Sequence, residues 1–135
     1  RWTMLGRPST ATQGWIAIGD SILAGVGDTS SYGKYGGGYF ARAMGTATLT
    51  PRRPSLNLAA PSAQLSVFNN NTKWRSLLAY ARNVVIGIGT NDIQGGVNLA
   101  TLQSRMTSMV NYLRSTGVET ILVATILPRT TGTWD

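Results

Sequence analysis

The sequence predicts an α/β fold in which a parallel sheet is covered by helices on both faces. Short, almost continuously apolar segments alternate with segments of helical periodicity, and such strands are typical of a sheet buried on both sides. A chain of 135 residues also fits one domain that is large enough to bury a single core. We expect this domain to cover residues 14–135, after a lead or linker at residues 1–13.

The first half of the chain predicts two strands and two helices. The apolar run 15–18 is the first strand, residues 35–44 can form a helix that Gly45 closes, and residues 55–59 form a weaker strand. Three asparagines at 69–71 predict a turn, and Thr72 is the expected N-cap of the next helix. That helix would bury side chains spaced three and four apart, namely Trp74, Leu77, Leu78 and Ala81.

The second half carries the strongest signals. Residues 84–88 are the clearest strand, and a helix follows that Asn98 begins as N-cap and Gly117 ends. One face of this helix is apolar, through Leu99, Leu102, Met106, Met109 and Leu113. A fourth strand is predicted at 120–127, before Pro128. Because this run is apolar enough for a central strand and an apolar edge invites aggregation, we expect a further segment to pair with it.

Ser21 follows the first strand, within the motif Gly19-Asp20-Ser21. In an open parallel sheet, binding sites form at the carboxyl ends of the strands. A serine at a strand-to-helix junction has backbone N–H groups and the helix dipole beside it, and both favour developing negative charge. Gly-Asp-Ser is a common sequence, and a serine that only N-caps a helix is the alternative interpretation.

Gly89-Thr90-Asn91-Asp92 follows the third strand in the same way. The Asn91 side-chain amide can donate a hydrogen bond to an oxyanion, and the alternative is an ordinary Asn/Asp turn. The pair of motifs is more informative than either alone, because neighbouring strand ends meet at one edge of the sheet. We therefore expect Ser21 and Asn91 to face one reacting centre. Candidate substrate-binding residues around it are Asp20, Thr90, Asp92 and Arg129, although the first and third can instead brace turns.

Three motifs resemble the conserved blocks of the SGNH/GDSL hydrolases. Residues 18–25 (Ile-Gly-Asp-Ser-Ile-Leu-Ala-Gly) resemble the first block, residues 57–63 (Asn-Leu-Ala-Ala-Pro-Ser-Ala) the second, and residues 88–92 (Ile-Gly-Thr-Asn-Asp) the Gly-x-Asn-Asp block. The motifs occur in the family's order, and the resemblance extends over residues 14–128. It implies a flavodoxin-like, three-layer α/β/α fold and hydrolysis of carboxylic esters through an acyl-serine intermediate.

By matching position, the resemblance implies roles for three residues. Ser21 would be the nucleophile, and its own N–H would donate to the oxyanion together with the side-chain amide of Asn91. Ser62 occupies the position of the family's glycine, whose N–H is a further donor. Serine adopts positive φ less readily than glycine, so the geometry of this donor departs from the family pattern.

The family's last block, an Asp-x-x-His on a loop after a fifth strand, has no counterpart here. The 135 residues contain no histidine, and a serine of ordinary pKa is a poor nucleophile without an adjacent base. A Ser-Lys pair using Lys34 or Lys73 is an alternative, but nothing in the sequence places either beside Ser21. We expect the fifth strand, the final helix and the histidine on a complementing chain or a C-terminal segment, and negligible activity for this chain alone.

Composition excludes several classes of function. The chain has no cysteine, and its five acids are scattered, so thiolate chemistry, disulfides, a metal site and other cofactors are not expected. The net charge of +7 is spread along the chain without an aromatic–basic stripe, so no nucleic-acid partner is expected. The apolar runs are far shorter than the about 20 residues of a membrane span. The low charge density, with many Thr, Ser, Asn and Gly residues, is typical of extracellular or virion-surface proteins.

Two other functions are compatible with the sequence. A pocket without a base suits a non-catalytic binding module, for instance for carbohydrate, and the domain could also be a structural part of a larger surface protein. For an esterase the partner is an ester substrate, with acylated carbohydrates, short acyl chains and lipids as candidates. The Gly- and Tyr-rich residues 28–39 could form a rim that stacks on a sugar or acyl group, or a connection whose tyrosines pack locally.

Overall fold

The computed structural model describes residues 14–28, 37–45, 53–78 and 80–126. Within these ranges, strands and helices alternate along the chain as the sequence predicts. The elements in order are β1 (Trp15–Gly19), α1 (Ser21–Ala24), α2 (Gly38–Ala43), β2 (Ser55–Asn57), α3 (Leu65–Asn70), α4 (Thr72–Leu78), β3 (Asn83–Gly87), α5 (Thr90–Gln94), α6 (Leu99–Ser115) and β4 (Thr120–Val123).

The four strands form one sheet in the order β2-β1-β3-β4, and every pairing is parallel. β1 and β3 are the inner strands, with Trp15 opposite Asn83 and Gly19 opposite Gly87. Because all strands run in one direction, the loops that follow them lie at the same edge of the sheet. The predicted parallel α/β architecture is confirmed.

Helices cover both faces of the sheet. Alternate residues of a strand point to opposite faces, so Ile16 and Ile18 lie in one hydrophobic cluster and Ala17 in the other. The larger cluster includes Phe68 of α3, Leu78 of α4, and Met109 and Leu113 of α6. The smaller cluster contains Leu23 of α1, with Phe40 and Met44 from α2 and its C-terminal end. The fold is thus a three-layer α/β/α arrangement.

Several element boundaries differ from the predicted ones. β2 ends at Asn57 instead of residue 59, and β3 begins at Asn83, one residue earlier than predicted. The predicted start of α2 at residue 35 and the predicted end of β4 at residue 127 lie outside the described residues. Within them, α2 begins at Gly38 and β4 ends at Val123.

Helix α3 was missed because its last two residues belong to the asparagine run that predicts a turn. Its buried side chains Leu65 and Phe68 are only two positions in a six-residue helix, too few to define a period. The prediction that Thr72 caps the following helix was also wrong. Thr72 is the first helical residue, and the Oδ1 atom of Asn71 accepts a hydrogen bond from the Lys73 N–H at 3.0 Å.

Helix α6 agrees with its predicted caps. The Asn98 side chain accepts from the Thr101 N–H at 2.8 Å, and Gly117 after the helix has φ 87°. Leu99 departs from the predicted apolar stripe, because it is 68% exposed. None of the helices in the described ranges has both the length and the hydropathy to cross a membrane.

β4 lies at the edge of the sheet, although its sequence is typical of a central strand. Within the described residues it pairs with β3 alone. Leu122 and Val123, which point to opposite faces, are each 50% exposed. Among the described residues, therefore, no backbone groups pair with the outer edge of this largely apolar strand.

Candidate active site at the strand ends

The loop after β1, residues 19–21, is named here the Asp-Ser loop. Asp20 is the N-cap of α1, and its Oδ1 atom accepts from the Ile22 N–H at 3.0 Å. Only 2% of Asp20 is exposed, whereas Ser21, the first residue of α1, is half-buried. The carboxylate of Asp20 thus holds the turn that leaves the Ser21 side chain accessible.

The loop after β3, residues 88–92, is named the Asn-Asp loop. Gly89 precedes α5 with φ 134°, a conformation that side chains rarely adopt. Asn91 is half-buried, and its Nδ2 atom donates to the Ala63 carbonyl oxygen at 3.1 Å. A primary amide carries two N–H groups, so one bond to Ala63 still permits Asn91 a second donation.

The loop after β2, residues 58–64, is named the Pro-Ser loop. The Ala63 N–H donates to the Ala60 carbonyl at 3.1 Å, which closes a tight turn with Pro61 and Ser62 at its centre. Ser62 is exposed and has φ 60°, the single positive φ of a non-glycine residue in the described ranges. Proline followed by a residue of positive φ is typical of a type II turn, in which glycine is the usual third residue.

Hydrogen bonds connect these three loops to one another. The Ala60 N–H of the Pro-Ser loop donates to the Gly19 carbonyl at 3.0 Å. The Asp20 N–H of the Asp-Ser loop donates to the Gly87 carbonyl, the residue just before the Asn-Asp loop, at 3.3 Å. With the Asn91–Ala63 bond, each loop is thereby joined directly to the strand or loop beside it. All three motifs singled out in the sequence meet at one edge of the sheet.

Asp92 is fully buried and holds two helices in place. Its Oδ2 atom accepts from the Leu65 N–H at 2.9 Å, and its Oδ1 atom forms an ion pair with Arg105 of α6 at 2.8 Å. Gln64 adds a bond from its Nε2 atom to the Asn91 carbonyl oxygen at 3.1 Å. Sequence reasoning missed Gln64 and Arg105, because neither belongs to a motif and both act across long sequence separations.

A cavity of about 240 Å³ lies at the carboxyl ends of β1, β3 and β4. Asp20 and Thr90, two of the predicted substrate-binding residues, line it, whereas Ser21, Asn91 and Ser62 do not. Thr90 is 7% exposed. The other lining residues are Ile22, Tyr39, Gly87, Ile88, Ala124, Thr125 and Ile126.

Tyr39 of α2 lies over the end of β3. Its hydroxyl occupies the space that a Cβ atom at Gly87 would need, so a larger residue at this position would displace the Tyr39 and Leu23 side chains. Burial, and to a smaller extent the negative charge of Asp20, raises the pKa of the Tyr39 phenol. Asp28 is bound to α2, because its carboxylate accepts from the Gly38 N–H and pairs with Arg42 at 2.8 Å.

The remaining sequence predictions fall partly outside the described residues. Arg129 lies in the part that the structure leaves undescribed, as do residues 29–36 of the expected rim. Lys34 is also among them, and Lys73 lies on α4, packed on the other face of the sheet from α1. The histidine that a Ser-His pair requires is absent from all 135 residues.

The model of the GDSL-like lipase/acylhydrolase family matches residues 17–135. This chain belongs to that family. No curated protein matches by sequence.

Several solved structures share the fold of this chain. TesA superposes with a TM-score of 0.67 at 26% identity, covering 86% of this chain and 62% of TesA. A catalytic mutant of Axe2, an acetylxylan esterase from Geobacillus stearothermophilus, gives a TM-score of 0.64 at 20% identity, covering 82% of this chain and 58% of Axe2. The psychrotrophic esterase EstA from Pseudoalteromonas sp. gives 0.63 at 18% identity, with coverage of 83% and 61%. The chain thus spans about three fifths of the length of these structures.

Proposed function

We propose that this chain is the nucleophile-bearing part of a serine hydrolase that cleaves carboxylic esters through an acyl-serine intermediate. The observation that carries the proposal is the hydrogen-bonded junction of the Asp-Ser, Pro-Ser and Asn-Asp loops at one edge of the sheet. A nucleophile and the donors that stabilise an oxyanion must meet at such a junction. Membership of an acylhydrolase family supports the same reaction class.

Ser21 is the proposed nucleophile. As the first residue of α1, its N–H has no acceptor within the helix and is free to bind an anion. In the reaction, the Ser21 oxygen attacks the ester carbonyl carbon, the hydroxyl proton leaves to a base, and the carbonyl oxygen becomes an oxyanion. Collapse of that intermediate releases the alcohol and leaves an acyl-Ser21, which water then cleaves.

The proposed oxyanion donors are the Ser21 N–H, the second N–H of the Asn91 amide and the Ser62 N–H. The Asn91 amide is held by its bond to Ala63, so its donor direction is set before substrate binds. Ser62 keeps the positive φ that the turn requires even without glycine. This supports the Ser62 N–H as a proposed backbone donor in place of the family's glycine.

We propose that the base that accepts the Ser21 proton is not among these 135 residues. The chain has no histidine, and Asp20 and Asp92 already accept hydrogen bonds from their surroundings. Variants of Axe2 that are described as catalytic mutants replace a serine, an aspartate and a histidine. We assign the first of these roles to Ser21 and the other two to residues that a complementing segment or chain provides.

Acylated carbohydrate is the substrate class that we favour. Axe2 is an acetylxylan esterase, and its structure covers most of this chain. The strand-end cavity also offers Tyr39 as a half-exposed aromatic surface beside Thr90. Aromatic rings with a polar end suit sugar hydroxyls and acyl groups alike.

A chemical-rescue assay tests the proposal with the chain as it is. Imidazole supplies the missing base, and hydrolysis of p-nitrophenyl acetate is followed with and without it. We expect negligible turnover without imidazole, since loss of the base in triad enzymes lowers kcat by about 10⁴-fold or more. With imidazole, we expect a saturating rate that exceeds that of Ser21→Ala.

Matched variants make the assay decisive. Ser108→Ala, an exposed serine of α6, should keep the rescued rate, and Asn91→Ala should lower it by about 10²-fold. If Ser21→Ala matches the parent at every imidazole concentration, the hydrolase proposal is wrong. Binding of acetylated xylo-oligosaccharides without rescued turnover would then support a carbohydrate-binding module, which the absence of histidine also fits.

A further inference from the structure

A second cavity, of about 380 Å³, lies between α3, α4 and α6. It shares no lining residue with the strand-end cavity. The lining consists of two arginines, three serines and two asparagines and contains no acid; these residues are Ser66, Asn69, Asn70, Arg75, Ser104, Arg105 and Ser108. A concave site with positive charge and hydroxyl donors favours a negatively charged ligand.

Arg75 is fixed in place without a carboxylate partner in the described residues. Its guanidinium carbon lies 3.8 Å from the centre of the Tyr112 ring, and the Tyr112 hydroxyl donates to the Arg75 carbonyl at 3.0 Å. The ion pairs of the described ranges use other arginines, at positions 42, 82 and 105. Because Tyr112 contacts the flat face of the Arg75 guanidinium, the N–H groups, which point outward in the plane of that group, can bind an anion.

Arg105 adds a second positive charge to the cavity, and the negative charge of Asp92 partly neutralises it. Its Nη1 atom is bound to Asp92, which is fully buried behind the cavity. A guanidinium has five N–H donors, so Arg105 keeps further N–H groups after it binds Asp92. Its side chain is 29% exposed and lines the cavity, where these groups can bind a ligand. Asn69 braces the same residue, since its Nδ2 atom donates to the Arg105 carbonyl at 2.9 Å.

We propose that this cavity, named here the three-helix pocket, binds a tetrahedral oxyanion carried on a small polar molecule, a phosphate or sulfate monoester. The donors belong to three helices, so a tetrahedral group, with three terminal oxygens, can accept from more of them at once than a carboxylate, which has two oxygens. The volume lies at the lower end of small-molecule sites, about 300–1,000 Å³. It therefore admits the anion together with a polar body.

The polar part of the ligand that carries the anion can bind beside the three-helix pocket. A more open groove of about 590 Å³ shares Ser66 and Asn70 with the three-helix pocket and continues to Asn71 and Lys73. Its hydroxyl, amide and ammonium groups can bind hydroxyls or a second negative charge. This inference does not depend on the proposed esterase, because none of the residues that line the three-helix pocket belongs to the Asp-Ser, Pro-Ser or Asn-Asp loop.

Titration calorimetry and amide NMR test the proposal on the 135-residue chain at low salt. Inorganic phosphate, inorganic sulfate and glucose 6-phosphate are compared with acetate and glucose. We expect the tetrahedral anions to bind and to shift amide signals of α3, α4 and α6, with glucose 6-phosphate the tightest ligand, and acetate and glucose at least about tenfold weaker. Equal binding of acetate and phosphate would overturn the proposal.

Two pairs of variants separate the pocket from the general positive charge. Arg75→Gln should weaken phosphate binding about tenfold or more, whereas Arg114→Gln, an exposed arginine of α6 outside the pocket, should not. Ser108→Glu places a carboxylate in the pocket and should abolish binding, while Thr107→Glu, at an exposed position of the same helix that does not line the pocket, should keep it. Equal losses within either pair would show that only net charge matters and would refute the site.

Discussion

The side-chain amide of Asn91 donates to the backbone carbonyl of Ala63, next to Ser62, at 3.1 Å. This bond links a loop after β3 to a loop after β2, although β1 lies between those strands. The two proposed donors from different loops are therefore positioned by one contact. Any change in the Pro-Ser turn would be transmitted to the Asn91 amide through it.

Removal of one partner from the ion pair between buried Asp92 and Arg105 should destabilise the fold. Asp92→Asn leaves the arginine without its carboxylate and should lower the free energy of unfolding by about 2–4 kcal/mol, reduced from the full buried-pair value because Arg105 keeps some solvent contact. Urea denaturation of the variant and the parent chain measures this difference in the free energy of unfolding. The control Glu119→Gln breaks an exposed pair and should change stability by less than about 0.5 kcal/mol; similar losses for both variants would contradict the prediction.

Ser62 should tolerate glycine better than any larger residue. Ser62→Gly removes the strain of the positive φ, which stabilises the folded state, but glycine also gives the unfolded chain more conformational freedom, which destabilises it. The net change should lie between zero and about 1 kcal/mol of stabilisation. Ser62→Val should destabilise by about 1–2 kcal/mol, since a branched side chain resists that conformation. Thermal unfolding checks both, with Ser66→Gly inside α3 as a control expected to destabilise by about 1 kcal/mol. A destabilised Ser62→Gly variant would show that the turn does not strain serine.

The exposed edge of β4 should make the chain self-associate. Leu122→Lys places a charge on this apolar strand, and we expect less association in sedimentation velocity with little change in stability. Leu99→Lys alters a still more exposed leucine, which lies on helix α6 and not on a strand, and should leave association unchanged. If both variants behave alike, association does not use the strand.

The raised pKa of Tyr39 predicts a stability change in alkaline solution. A folded-state pKa above the unfolded value of 10.0 means that the stabilising contribution is complete below pH 10 and is lost as pH rises through the folded value. Tyr39→Phe should remove this part of the alkaline loss in urea denaturation at a series of pH values. Asp20→Asn should lower the Tyr39 pKa, because the Asp20 charge contributes to raising it. An unchanged alkaline slope in Tyr39→Phe would contradict the assignment.

The sequence could predict the strands and the three loops because those signals are local. Apolar runs mark β1, β3 and β4, and the Gly, Asp and Asn residues after them mark turns. It could not predict α3, whose start depends on the Leu65–Asp92 contact across the fold. Neither could it predict the strand-end cavity or the three-helix pocket, since each is formed by side chains from elements far apart in sequence.

Site mapping with a fluorophosphonate in the presence of imidazole tests the central claim, that Ser21 is the nucleophile at the junction of the three loops. Peptide mass spectrometry of the treated chain identifies which of its serines carries the phosphonyl group. We expect a single adduct on Ser21, slower labelling in Asn91→Ala and no labelling in Ser21→Ala. Labelling that spreads over several serines, or persists in Ser21→Ala, would contradict the claim.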